Sequence, residues 1–139
     1  MAEQTLVLIK PDGVMEHHIG DIIKRIEEKG LRIVAMKMVK ADDALLRQHY
    51  PDLVDKPFFP EIVDYMESGP IVAMVVESPQ VIDWMHRLAG KTNPNEADFG
   101  TIRGDYGHEW DDGIMRNVVH TSDSVASAQR EIKLWFPEF

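Results

Sequence analysis

The chain has 139 residues, a formal net charge of −9 and no cysteine. Its 44% hydrophobic and 28% charged content excludes a disordered chain, and the missing thiols exclude disulfides, thiolate nucleophiles and thiolate metal sites. The acidic excess opposes a phosphate backbone, so no nucleic-acid partner is expected, and no apolar stretch nears the roughly 20 residues of a membrane span.

Met1 to Gln4 lead straight into a strand-like run without a basic region. No signal or transit peptide is read there, and the expected compartment is the cytoplasm. Thr5 to Ile9 is apolar and β-branched and ends at the turn signal Lys10-Pro11-Asp12-Gly13. Ile19, Ile22, Ile23 and Ile26 share one helical face, and Gly30 stops that helix. Leu31 to Val39 reads as a second strand. Asp42 is suited to cap a short helix running to about Tyr50. Phe59, Ile62, Val63 and Met66 form another helical stripe, closed by Ser68-Gly69-Pro70.

Ile71 to Val76 reads as a third strand buried on both faces. Ser78-Pro79 reads as an N-cap with Pro at the first helical position, and Val81, Met85 and Leu88 as the inner face of the helix that follows. Lys91 to Gly113 is polar, broken by Gly and Pro, and reads as irregular. Asn117 to His120 reads as a fourth short strand. Val125, Ala128, Ile132 and Trp135 mark a last helix, capped by Ser122 or Ser124. The order fits an α+β fold: a βαββαβ core with four strands and helices on one face.

Two tempting motifs fail. Gly90-Lys91-Thr92 looks like the end of a phosphate-binding P-loop, but Met85 holds the position of the required Gly and the motif closes a helix. His108-Glu109-Trp110-Asp111-Asp112 lacks the second His of a zinc motif.

Three pieces point to an anionic ligand. Lys10 ends a strand at a tight turn. Arg103 lies between glycines in Gly100-Thr101-Ile102-Arg103-Gly104-Asp105, where backbone can come close to a ligand. His120 stands just before the hydroxyl-rich helix start Thr121-Ser122-Asp123-Ser124, where a phosphate is favoured.

Together with His49-Tyr50, Lys56-Pro57-Phe58-Phe59, Ser68-Gly69-Pro70 and Glu131 to Phe136, these pieces resemble the nucleoside diphosphate kinase family, from Thr5 to Pro137. The resemblance implies a single kinase-like domain over 1–139 with a ferredoxin-like βαββαβ sandwich. It implies ping-pong transfer of a γ-phosphoryl group from a nucleoside triphosphate to a nucleoside diphosphate, with Mg²⁺ bound through the nucleotide phosphates. His120 is the implied nucleophile, supported by Glu131 directly or through Ser122. Lys10 is implied to contact sugar and phosphate, with Tyr50 beside it. Phe58 is the implied platform for the base, Thr92 and Arg103 the phosphate contacts, and Asn117 the ribose contact. The family forms hexamers or tetramers built from dimers, so a homo-oligomer is implied.

Three positions depart from the family pattern. His86 stands where an Arg is usual, and Arg87 follows, about 100° further round the helix; either could fill the role. Thr121 replaces the commonest Gly. The segment between Asp105 and Asn117 is about four residues longer than usual, with three acidic residues and Trp110 between His108 and Gly113. A nucleotide-binding sensor on the same fold is the alternative function. A phosphohistidine carrier would need neither Phe58 nor Asn117.

Overall fold

The computed structural model describes residues 2–139. β1 (Ala2–Ile9) and β3 (Ile71–Pro79) are the central strands of an antiparallel sheet, flanked by β2 (Arg32–Val39) and β6 (Val119–Thr121) in the order β2-β3-β1-β6. This is the ferredoxin-like arrangement. The helices are α1 (Pro11–Met15), α2 (Ile19–Glu28), α3 (Asp43–His49), α4 (Phe59–Met66), α5 (Val81–Ala89), α6 (Ile102–Tyr106) and α7 (Val125–Trp135). A small hairpin, β4 (His108–Glu109) and β5 (Met115–Arg116), precedes β6.

Strand alternation divides the core. Val7 and Ile9 of β1 face Ile22 and Ile26 of α2 and Val81 and Met85 of α5. Leu6 and Leu8 face Leu46 of α3, Met66 of α4, and Ala128, Ile132 and Trp135 of α7. Helices thus cover both faces of the sheet, and the one-sided arrangement is corrected. The apolar run Ile71 to Val76 requires this, since every one of its residues is buried. Ile22 and Ile26 are wholly buried, which stabilises α2 docking by about 1.5–3 kcal/mol for each side chain. The capping expectations are settled at two helices. The Asp42 carboxylate accepts from Leu45 N at 2.8 Å, and Ser124 Oγ, not Ser122, accepts from Ser127 N at 3.1 Å.

Other boundaries differ from the sequence reading. β1 starts at Ala2, so its partner β3 continues to Pro79, and Ser78-Pro79 is strand rather than helix cap. Gln80, at φ 56°, makes the turn into α5. Lys10-Pro11-Asp12-Gly13 opens a helical turn, with Pro11 at its first position. Lys91 to Gly113 is not irregular throughout, because it holds α6 and β4. Gly104 is required there by packing: a Cβ on it would lie 2.0 Å from the Asp98 carbonyl oxygen. Close approach of protein backbone, and not of a ligand, explains that glycine. Asn117 stands outside β6, and His120 is the middle residue of that strand.

Candidate active site

His120 pairs across the ladder with Leu8. It therefore points to the same face as Leu8, where α3 and α7 pack. Glu131, on the buried side of α7, meets it there: Oε1 lies 2.8 Å from His120 Nε2. Ser122 Oγ donates to the same oxygen at 2.8 Å and accepts from Leu6 N at 3.1 Å. Glu131 therefore reaches His120 directly, and Ser122 holds the Glu131 carboxylate rather than bridging it to the imidazole. Burial is the main influence on His120 and lowers its pKa, against the raising effect of Glu131. Burial would raise Glu131, but the hydrogen bond and charge of His120, together with Ser122, hold its carboxyl below the usual range.

Lys10 and Arg103 bring positive charge to the same wall. Lys10 is 8% exposed, and its Nζ donates to Asn117 Oδ1 at 2.8 Å. Burial and then repulsion from Arg103 lower its pKa to about 8, partly offset by Asp12. Arg103 sits in the first turn of α6, which Thr101 caps by accepting from Gly104 N at 3.0 Å. Its guanidinium donates to the carbonyls of Gly90, Asn117 and Val119 at 2.9, 3.3 and 2.8 Å. These bonds aim the group while leaving its charge without a bonded carboxylate.

Asn117 and His120 owe their relative placement to Val118, held at φ 72°. Val119 N donates to Asn117 O at 2.7 Å across it, a γ-turn of the rare positive-φ kind. Buried Asp12 secures this turn. Its Oδ2 accepts from Val118 N at 3.1 Å and its Oδ1 from Tyr65 Oη at 2.6 Å, while Lys10 N donates to Val118 O at 2.7 Å.

A cavity of about 580 Å³ joins these groups. Lys10, Tyr50, His86, Thr92, Arg103, Asn117, His120 and Glu131 all line it. A neighbouring cavity of about 630 Å³ shares Lys10, Tyr50, Lys91, Thr92 and Asn117, and its further lining includes Ile62, Tyr65, Met66 and Met115. Burial and then Glu131 push the Tyr50 phenol up, so it stays protonated. Thr92 is joined to the site through its carbonyl, which accepts from Asn117 Nδ2 at 3.2 Å.

Three expected residues stand apart. Ser122 is wholly buried behind the cavity. Arg87 points outward, stacked on Trp84 with its guanidinium carbon 4.5 Å from the ring centroid, so the wall position belongs to His86. Phe58 is 47% exposed and lines neither cavity. Sequence reasoning missed Asp12 and Tyr65, whose link is purely tertiary. It also missed His49, which lines the cavity and lies three residues after buried Leu46, a helical spacing that marks a core position.

Comparison with known proteins places the chain in one family. The family model described as "Nucleoside diphosphate kinase" matches residues 3–139. "Nucleoside diphosphate kinase B" of Bos taurus is 53% identical over 135 residues, covering 97% of this chain and 86% of that protein. The human protein of the same name is 52% identical over 134 residues, covering 96% and 86%. Among solved structures, a halophilic nucleoside diphosphate kinase from Halobacterium salinarum in complex with CDP superposes with TM-score 0.91 at 41% identity, covering 98% of this chain and 88% of that one. An apo nucleoside diphosphate kinase from Encephalitozoon cuniculi superposes with TM-score 0.88 at 43% identity, covering 96% and 88%. Sequence and fold agree, and the chain belongs to the nucleoside diphosphate kinase family.

Proposed function

We propose that residues 1–139 form a single kinase domain that moves a γ-phosphoryl group from a nucleoside triphosphate to a nucleoside diphosphate through phosphorylated His120. The observation that carries this reading is the hydrogen bond between His120 Nε2 and Glu131 Oε1. It fixes the proton on Nε2 and leaves the Nδ1 lone pair as the nucleophile. A neutral imidazole needs no separate base. Nδ1 attacks the γ-phosphorus, the diphosphate leaves with the bridging oxygen, and a second diphosphate reverses the step. Lys10 and Arg103 steady the charge that builds up on the transferring oxygens, the main demand of phosphoryl transfer. The sensor alternative leaves the buried Glu131–His120–Ser122 set without a task.

Asn117 and Lys10 hold the ribose and phosphates, Thr92 and His86 the phosphate end, and Tyr50 the wall beside His120. Phe58 serves as an open platform for any base. Phe58→Ala should weaken adenine and pyrimidine nucleotides alike, by roughly 1–3 kcal/mol. A loss confined to one base would make the hairpin after α6 the reader instead.

The donor set fits Mg²⁺ carried on the nucleotide. Glu131 is committed to His120 and Ser122, and the cationic wall favours phosphate oxygens over a metal cage. Bound Mg²⁺ neutralises phosphate charge and orients the leaving group. A homo-oligomer is supported by β2, an outer strand that exposes Val34, Met36 and Met38 at 37%, 55% and 58%. No helix among the described residues is long and apolar enough to cross a membrane; with free nucleotides as substrates, we assign the chain to the cytoplasm. The deciding experiment mixes the protein with ATP, Mg²⁺ and GDP. Formation of GTP, with acid-labile phosphate on His120, is expected; neither product would sink the reading.

A further inference from the structure

One side chain in the cavity wall has no part in the chemistry described above. His49 closes α3 and is 3% exposed. Its ring stands 4.5 Å from that of His120, centroid to centroid, inclined at 70°. Trp135 Nε1 donates to His49 Nδ1 at 3.0 Å. An indole N–H only donates, so Nδ1 must hold a lone pair. Burial, then the neighbouring His120 and Lys10, keep the imidazole far below the ordinary histidine range. A neutral imidazole with a bare Nδ1 carries its proton on Nε2. That nitrogen is buried and has no hydrogen-bond partner. Such an orphaned donor is rare enough to require a reason.

One candidate reason is a metal. His49, His120 and Glu131 offer ligand atoms within 4.8 Å of one another. A metal on His49 Nε2 would drive the proton to Nδ1, where it would meet the Trp135 N–H head to head. The indole therefore presents His49 to the nucleophile as a donor and not as a ligand.

We propose that His49 Nε2–H donates to an oxygen of the phosphoryl group carried on His120, with Trp135 as the positioning residue that fixes its tautomer. This rests on His120 being the nucleophile. His49 and His120 line the same cavity with their rings in contact, so a phosphoryl group on His120 is the nearest acceptor that the proposed reaction adds. Being neutral, the donor steadies the phosphoryl group without adding a third cation to Lys10 and Arg103.

The test uses the whole chain. Nitrogen-15 NMR of the wild type should show the His49 proton on Nε2 at rest, and that resonance should move downfield after phosphorylation with ATP and Mg²⁺. His49→Phe keeps a ring and removes the donor; His49→Gln keeps a donor. At a fixed ATP to ADP ratio, His49→Phe should lower the phosphorylated fraction relative to free enzyme about tenfold, the effect of one lost hydrogen bond, and His49→Gln should recover most of it. A proton on Nδ1, an unmoved resonance, a wild-type ratio in His49→Phe, or equal losses in both variants would overturn the proposal. Absence of phosphohistidine in the wild type would overturn the parent reading instead, so the two failures are distinct.

Discussion

His120 and Glu131 meet through a single 2.8 Å hydrogen bond between the middle of β6 and the buried face of α7. The register of β6 against β1 produces this pairing, because a shift by one residue would turn His120 to the opposite face. His120→Ala should abolish phosphate exchange while leaving the fold intact. Glu131→Ala should retain the nucleophile but lose its orientation, lowering kcat about 10²-fold. Rapid-quench measurement of phosphoenzyme formation checks both. Phosphoenzyme in His120→Ala would reassign the nucleophile.

The pH dependence follows from two lowered pKa values. His120 must be neutral to attack, and burial keeps it neutral into mildly acidic solution. Lys10 must be charged to bind phosphate, and that charge is lost as pH rises through about 8. For free enzyme, kcat/KM should rise through a limb below pH 6.5, stay level, and fall from about pH 8. Lys10→Arg should remove the alkaline fall, since a guanidinium stays charged. A wild-type profile still level at pH 10 would assign the phosphate charge to Arg103 alone.

His86 lines the cavity where the family usually carries Arg. A guanidinium grips phosphate with two parallel bonds, while an imidazole offers one donor. His86→Arg should tighten ADP about tenfold, equivalent to about 1.4 kcal/mol. Arg87→Ala should change ADP binding little, because that side chain lies on Trp84. Calorimetric titration of ADP at pH 6 and pH 8 separates the two residues. A large loss in Arg87→Ala with no gain in His86→Arg would reverse the assignment.

Asp12 holds the γ-turn from beneath. Asp12→Ala orphans both the Val118 N–H and the Tyr65 hydroxyl, at about 1–3 kcal/mol for each buried donor. Tyr65→Phe removes one partner only and should cost less. Urea unfolding ranks the variants. Equal stability of Asp12→Ala and wild type would mean that the turn is held by its own flanking strand.

The main elements were legible because each carries its own local signal. The isoleucine stripe of α2, the apolar runs of β1 and β3, and the Asp42 and Ser124 caps depend on neighbours in sequence. α6 and the hairpin carry weaker signals: despite its Thr101 cap, five residues containing Gly104 make a weak helix, which packs closely against Asp98. The family motifs named Lys10, Arg103, His120 and Glu131, and the structure brings these four to one cavity. The outward turn of Phe58, the choice of His86 over Arg87 and the tautomer of His49 were not legible, because each depends on contacts between distant segments.

Arg103 is buried with its charge facing carbonyl dipoles rather than a carboxylate, and Lys10 stands close by. Asp12 and Asp123 offset these charges only in part, and a docking anion would compensate the remainder. Ligand binding and folding become one equilibrium: each phosphate that docks selects the folded chain, so the protein's resistance to heat tracks how much nucleotide surrounds it.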